Sequence, residues 1–238
     1  MQEKIDILKK WIEESNNIVF FGGAGVSTES GIPDFRSVDG LYHLSYDYPP
    51  ETILSHRFFN NHTKEFYEFY RNKMLYSDAK PNTTHTKLAE LELSGKLKGV
   101  ITQNIDGLHQ LAGSKKVLEL HGSVLRNFCM KCNKFYDAGY VLKQKEVPIC
   151  ECGGIIKPDV VLYEESLNEP VMSEAIHLIE EADILIVAGT SLSVYPAAGL
   201  IRYYKGNKLV LINKTVTTYD KEADILIQAK LGDVFVQL

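Results

Sequence analysis

The sequence predicts an α/β fold, a doubly wound parallel sheet with a smaller domain inserted into it. Three observations point there. Short runs rich in Val, Ile and Leu recur without polar alternation at residues 18–21, 100–102, 117–120, 184–188, 209–212 and 224–227. Such runs mark strands buried on both faces. Helix-patterned stretches at 84–93, 173–180 and 197–204 fall between them, and strands alternating with helices build a doubly wound sheet. Two segments, 38–77 and 126–157, break that rhythm; one is crowded with aromatics and the other holds every cysteine. The expected division is discontinuous. Residues 1–37, 78–125 and 158–238 form a Rossmann-like domain, and the helical module 38–77 joins the cysteine module 126–157 in the smaller one.

The chain opens with Ile5, Leu8, Trp11 and Ile12 at helical spacing among charged residues. That is an amphipathic helix rather than an export signal. A chain of 238 residues, 45% of them hydrophobic, can bury a sizeable core without disulfides. The net charge of −5 argues against a general affinity for nucleic acid. The longest apolar runs, such as 184–187, are far too short to span a bilayer. A reducing cytoplasm is the expected compartment, with neither nucleic acid nor membrane as partner.

The first strand runs into Gly22, Gly23, Ala24, Gly25, Val26 and Ser27. A tight structural turn is the plain reading of those glycines. After a first strand, however, such a turn lets backbone amides approach a pyrophosphate, and a helix start would add positive potential. The dehydrogenase fingerprint is broken. Thr28 replaces its third glycine, Gly31 and Pro33 stop any helix begun there, and no strand with an acidic end follows at the usual distance. A dinucleotide is expected; hydride transfer is not. Pro33, Asp34, Phe35 and Arg36 add a rigid turn, a carboxylate, an aromatic face and a cation, which suit a loop folding over a cofactor. In the helical module, Phe66, Phe69, Tyr70 and Lys73 stand at i, i+3, i+4 and i+7, which predicts a helix packed by aromatics.

Ligands of open parallel sheets sit beyond the carboxyl ends of the strands. There the chain places Gln103, Asn104, Ile105, Asp106 and His109 after one strand, His121 and Gly122 after the next, Gly189, Thr190, Ser191 and Ser193 after another, and Asn213 with Lys214 after the fifth. A packed core does not need these polar sets; a cofactor with two riboses and an amide does. His121 is the candidate for acid–base work because its free pKa lies near working pH. His85, beside Asn82, Thr83 and Thr84, reads as a capping or packing residue, and His109 as a brace for its loop.

Cys129 and Cys132 form a CxxC pair, Cys150 and Cys152 a CxC pair, and 17 residues separate the pairs. Two cysteine knuckles at this separation suit a structural four-thiolate zinc site. Disulfides would need an oxidising compartment. Lys131, Lys134, Lys143, Lys145 and Arg126 make this module locally basic, so a nucleic-acid-binding ribbon is the non-enzyme alternative, weakened by the overall charge.

Taken together, these residues resemble the sirtuin family of NAD-dependent protein deacylases over essentially the whole chain. The likeness rests on residues 23–27, 29–36, 102–109, His121-Gly122, the four cysteines and residues 189–192. The resemblance implies NAD as co-substrate, held by Gly23, Ala24, Gly25, Thr28, Asp34, Phe35 and Arg36 in the cofactor loop. It implies that Ile105 and Asp106 hold the nicotinamide amide and that Gln103 and Asn104 contact the adjoining ribose. Gly189, Thr190, Ser191, Asn213, Lys214, Asp233 and Val234 would bind the adenosine half. Asn104 and His121 would be catalytic, His121 as general base on a ribose hydroxyl. Acyl-lysine proteins or peptides would be the partners, adding as a strand against Val160, Val161, Leu162 and Tyr163 on one side and Val194 on the other. The products would be nicotinamide, free lysine and O-acyl-ADP-ribose. Two departures stand out. The second cysteine pair is CxC, with Gly153 and Gly154 after it to relax the turn. Residues 160–165 read Val-Val-Leu-Tyr-Glu-Glu where many members carry Phe-Gly-Glu. No Tyr-x-x-Arg pair follows Arg36, which favours neutral acyl groups, acetyl first.

Overall fold

The computed structural model describes residues 1–34 and 48–238. Along the chain stand α1 (Gln2–Glu14), β1 (Ile18–Gly22), two 3-10 turns (Ala24–Val26 and Thr28–Ser30), α2 (Pro50–Ile53), α3 (His56–Asn61), α4 (Thr63–Lys73) and α5 (Thr83–Leu93). Next come β2 (Leu97–Thr102), α6 (Leu108–Ala112), β3 (Val117–Glu119), β4 (Gly122–Cys129), β5 (Phe135–Asp137), α7 (Ala138–Lys143) and β6 (Ile156–Val160). The last part holds α8 (Glu169–Glu181), β7 (Ile184–Ala188), a 3-10 helix (Ala197–Tyr203), β8 (Leu209–Asn213), β9 (Ile225–Gln228) and α9 (Leu231–Phe235).

Six strands form one sheet in the order β3-β2-β1-β7-β8-β9, and every pair in it is parallel. This is the Rossmann order, and the direction of winding reverses between β1 and β7. Alternate residues of each strand feed two cores. Ile18 and Phe20 pack with Ile5 and Leu8 of α1, Leu88 of α5 and Phe235 of α9. Val19 and Phe21 pack on the other face with Leu178 and Ile179 of α8 and with Leu200 and Ile201. Burial on both faces is what the unbroken apolar runs required. The stretch expected as a helix at 197–204 is 3-10 rather than α; Gly199 in its middle is a poor α-helix former.

A second sheet is antiparallel, in the order β5-β4-β6. Its inner residues Val124 and Val160 share a core with Phe58, Phe59, Phe66, Tyr67, Phe69 and Tyr70 from α3 and α4. The aromatics therefore fill a core, as their helical spacing predicts, and the Tyr67 hydroxyl donates to the Ile156 carbonyl. Beyond lies a small cluster of Cys129, Cys150, Tyr136 and Ile156. Among the described residues, no helix is long and apolar enough to cross a membrane.

Strand β4 runs from the edge of one sheet's strand ends to the cysteines. Gly122 begins it at φ +76°, and a Cβ there would lie 1.9 Å from the Asp159 carbonyl oxygen. Only glycine lets β4 and β6 close at that point, immediately after His121.

Candidate functional site

A polar seam crosses the carboxyl ends of the parallel strands. The Asn213 side-chain oxygen, at the end of β8, accepts the Thr190 N–H at 3.0 Å. The Thr190 hydroxyl, after β7, accepts from Gln103 Nε2 at 3.0 Å. The Gln103 carbonyl, after β2, lies 2.9 Å from His121 Nδ1. A second group lies beside it. Ser27 Oγ, in the first loop, donates to Asp106 Oδ2 at 2.7 Å and accepts from Asn104 Nδ2 at 3.0 Å. Asp106 Oδ1 in turn accepts the Leu108 N–H at 2.9 Å. Residues from four strand ends and the glycine loop thus meet where the winding reverses.

The His121 geometry fixes its chemistry. A carbonyl can only accept, so Nδ1 carries the proton and the neutral ring presents an unprotonated Nε2. Burial pushes the imidazole below its ordinary pKa of 6.5, and the Gln103 bond opposes this in part. The ring is therefore a neutral base at physiological pH. The His121 carbonyl accepts the Val161 N–H at 3.0 Å, which anchors the residue on both sides. His109 and His85 differ. They are 1% and 0% exposed, with rings 4.7 Å apart, and burial lowers them to about 3 and about 4. His85 Nδ1 accepts the Asn82 N–H in a capping box at the start of α5, so capping and packing are its observed places.

The glycines face one another. A Cβ on Gly25 would lie 2.7 Å from the Gly189 Cα, one on Gly23 would lie 2.9 Å from the Gly189 oxygen, and Gly189 itself sits at φ +60°. The Gly25 N–H donates to the Gly189 carbonyl at 2.8 Å. These glycines let the first loop lie on the loop after β7, and two 3-10 turns follow in place of a full helix start. Asp34 is half-buried just beyond the turns. Phe35, Arg36 and the residues after them to 47, on which the acyl expectation rests, lie outside the described residues.

Other expected residues are scattered around this centre. Thr28 donates its hydroxyl to the Gly25 carbonyl. Ile105 is half-buried, and its carbonyl accepts the Val124 N–H. Ser191, Lys214 and Asp233 are exposed, whereas the Val234 side chain is wholly in the core, which leaves only its backbone for a ligand. At the strand expected to receive substrate, Val160 pairs with Gly122 and Val194 is half-buried. The amides of Val161, Leu162 and Tyr163 already have acceptors: the carbonyl of His121, the Glu165 carboxylate and the carbonyl of Leu54. A peptide strand on this side therefore has fewer backbone partners than the sequence alone suggested. Ser27 and Glu165 are the members missed at the sequence level. Glu165 also meets His56 Nδ1 at 2.8 Å and Lys157 Nζ at 3.1 Å. Ser27 was visible in the glycine turn, but its link to Asp106 is 79 positions long.

The cysteine sulfurs lie within 4.8 Å of one another. Cys129 to Cys152 is 3.4 Å and Cys132 to Cys150 is 3.6 Å, far beyond a disulfide bond of about 2.05 Å. A tetrahedral zinc with Zn–S of about 2.3 Å requires sulfur–sulfur edges of about 3.8 Å, so the four thiolates fit the ion. The Tyr136 hydroxyl donates to Cys150 Sγ at 3.1 Å and draws that thiol down to about 6. The CxC departure is accommodated as expected. Gly153 takes φ +81°, and a Cβ on Gly154 would lie 2.7 Å from Cys129 Sγ. Of the basic residues, Arg126 is tied to Glu119 and Asp159 at 2.8 Å each, and Lys134 to Glu151 at 2.8 Å.

The seam fits a dinucleotide. Asn213 Nδ2 is buried with no hydrogen-bond partner among the described residues, directly beside Thr190. At this strand end, a bound ligand or a water would complete its hydrogen bonding. Fold and site together define a dinucleotide-binding α/β protein with a thiolate zinc module. The chain belongs to the Sir2 family, whose model matches residues 23–196. It is 62% identical over 236 residues to a protein of Clostridium acetobutylicum named NAD-dependent protein deacetylase, covering 98% of this chain and 96% of that one. A protein of the same name from Clostridium perfringens is 58% identical, with 98% of both chains covered. A solved Sir2 structure with a deacetylated peptide and 3'-O-acetyl-ADP-ribose is 39% identical at a TM-score of 0.89, covering 98% of this chain and 96% of that one. Another, with a peptide and NAD+, is 38% identical at 0.88 with the same coverage.

Proposed function

We propose that this chain is an NAD-dependent protein lysine deacetylase, with His121 as its general base. It converts an acetyl-lysine protein or peptide, NAD and one water to free lysine, nicotinamide and O-acetyl-ADP-ribose. Bound NAD supplies the electrophilic sugar carbon and accepts the acyl group. The chain's own residues bind, orient and move the proton. The observation that carries this reading is the His121 ring, with Nδ1 pinned on the Gln103 carbonyl and Nε2 left as a base. An imidazole so held takes a proton from a ribose hydroxyl without first turning.

Asn104 and Asp106 hold the nicotinamide end. Ser27 fixes both side chains, so their remaining donors and acceptors are already aimed. Gln103 and Ile105 complete that end. Gly23, Ala24, Gly25 and Thr28 form the cofactor loop with Asp34, Phe35 and Arg36. Gly189, Thr190, Ser191, Asn213, Lys214 and the backbone at Asp233 and Val234 take the adenosine half, supported by the open Asn213 donor. Val160, Val161, Leu162, Tyr163 and Val194 line the peptide cleft. An amide oxygen is a weak nucleophile, so this positioning and the exclusion of water supply much of the rate. Neutral acyl groups are preferred, acetyl first.

Cys129, Cys132, Cys150 and Cys152 hold structural zinc, which contributes to folding and takes no part in the reaction. The domain division is 1–37, 78–125 and 158–238 against 38–77 and 126–157. The core shared by α3, α4, β4 and β6 supports joining the helical and cysteine modules, but Val124, Val160 and Leu162 in that core shift the bounds to take in the whole of β4 and β6. The cytoplasm is the proposed compartment, in keeping with four cysteines free of disulfides. The test is mass spectrometry of an acetyl-lysine peptide incubated with and without NAD. NAD-dependent loss of acetyl with appearance of O-acetyl-ADP-ribose is expected. Faster turnover of a succinyl-lysine peptide would overturn the acyl preference.

A further inference from the structure

The two 3-10 turns of the cofactor loop are too short to hold their own shape, since such turns have poor hydrogen-bond geometry and one or two turns of helix are unstable alone. Toward the strand ends, Gly189, Asn104 and Asp106 hold them. On the opposite flank they border a cavity of about 590 Å³ lined by Glu29, Asn82, Lys87 and Gly232, among others. Val26 is the residue of the turns that packs into the core shared with α5 and α9, and two polar side chains tie the turns across the cavity. Glu29 accepts the Gly232 N–H at 2.8 Å. Asn82, which caps α5, donates from Nδ2 to the Val26 carbonyl at 2.8 Å and to Ser30 Oγ at 3.0 Å.

The Asn82 amide therefore has two separable roles. Its oxygen accepts the N–H groups of Thr84 at 3.0 Å and His85 at 3.4 Å, which caps the helix. Its nitrogen clamps both turns. Helix α5 is itself fixed in the core through Leu88 and Leu91, so the clamp refers the loop to a rigid part of the fold.

We propose that Asn82 is a positioning residue for NAD, acting through the loop turns and not by touching the reacting atoms. This rests on the NAD reading above. The predicted signature is a split: NAD affinity depends on the clamp, while catalysis at saturation and peptide affinity do not.

Asn, Asp and Ser cap helices about equally well. Asn82→Asp and Asn82→Ser therefore keep the cap and remove the donor nitrogen, whereas Asn82→Ala removes both. Three readouts are taken: melting of the ligand-free protein, hydrogen exchange of the amides at 25–32 in the ligand-free protein, and steady-state kinetics with acetyl-lysine peptide. In the Asp and Ser variants, melting falls by about 2–4 °C and by less than in Ala, exchange in the loop rises about tenfold, and the KM for NAD rises roughly tenfold, the size expected from two lost hydrogen bonds. The kcat and the peptide KM stay within about twofold. Unchanged loop exchange and unchanged KM for NAD in both variants, beside an active wild type, overturn the inference alone. A melting loss in Asp and Ser equal to that of Ala reduces Asn82 to a cap and also overturns it. A wild type with no NAD-dependent turnover overturns the activity and this inference together.

Discussion

At the strand ends of the parallel sheet, polar side chains hold one another and still leave groups over among the described residues: His121 Nε2, and the buried Asn213 Nδ2. In the cysteine module Asn127 Oδ1 is also buried without a partner among the described residues, but the four thiols themselves close on one another. Four sulfurs face one another within 4.8 Å, a tyrosine hydroxyl meets one of them, and a glycine packs on another. Strand β4 joins the two regions, with Gly122 at one end and Cys129 at the other. The strand-end seam holds its groups beside the proposed cofactor groove, while the four sulfurs converge on one another within 4.8 Å. The two should therefore fail in different ways.

The largest effect is expected from the metal. Cys129→Ala, or a strong chelator, removes zinc and leaves the cluster of Cys150, Tyr136 and Ile156 without its centre. Zinc binding to such modules is worth on the order of 10 kcal/mol, so a fall in melting temperature of about 10 °C or more is expected. Metal analysis and calorimetry check it; a variant with no zinc and unaltered melting would remove the structural role. The opposite pattern is expected at the other end of β4. His121→Ala lowers turnover about a thousandfold, while melting shifts by less than about 2 °C. Because burial lowers the His121 pKa, the neutral base survives into mild acid. The acid limb of the kcat/KM profile in wild type should then fall below pH 6.5, and a limb well above that value would contradict the assignment.

The buried pair His85 and His109 separates the regions by pH rather than by mutation. Both are neutral in the fold, with pKa values near 4 and near 3, mainly through burial. The unfolded chain binds protons at these sites from about pH 6.5 downward and the folded chain does not. Stability is therefore fully present above pH 6.5 and is lost as pH falls toward 4 and 3, by on the order of a few kcal/mol. His109→Phe, which keeps the ring contact with Phe20 possible, should flatten the fall in melting temperature between pH 6.5 and 4. An identical pH dependence in wild type and variant would assign acid lability elsewhere.

Much of this was legible in the sequence for a definite reason. Strands buried on both faces cannot alternate, so 18–21, 184–188 and 209–212 announced themselves. The cysteine spacing also carried its own geometry. What the sequence hid was partnership. The Gly25–Gly189 contact joins loops 164 positions apart, so the glycines read as a phosphate turn when much of their observed work is to let two backbones touch. The antiparallel sheet was hidden too, because β5 has three residues and β6 begins beside a metal knuckle. The intrachain acceptors for the amides of Val161, Leu162 and Tyr163 depend on Leu54, His121 and Glu165, and no local pattern encodes them.

Ser27 is the sharpest instance, and its test has the smallest expected effect. One hydroxyl donates to Asp106 and accepts from Asn104, so a single side chain orders two residues proposed to hold the nicotinamide end. Ser27→Ala leaves Asn104 Nδ2 and Asp106 Oδ2 to find new partners in a site where Ser27 is 1% exposed. A net loss of one to two hydrogen bonds corresponds to roughly a tenfold fall in kcat/KM for NAD. If the hydroxyl serves only the fold, melting should fall while kinetics hold. If it aims Asn104 and Asp106, kinetics fall while melting holds, and Ser27→Thr, which keeps a hydroxyl, should recover part of the activity. Partial recovery by threonine alone would show that strand-end chemistry here depends on orientation set from the glycine loop.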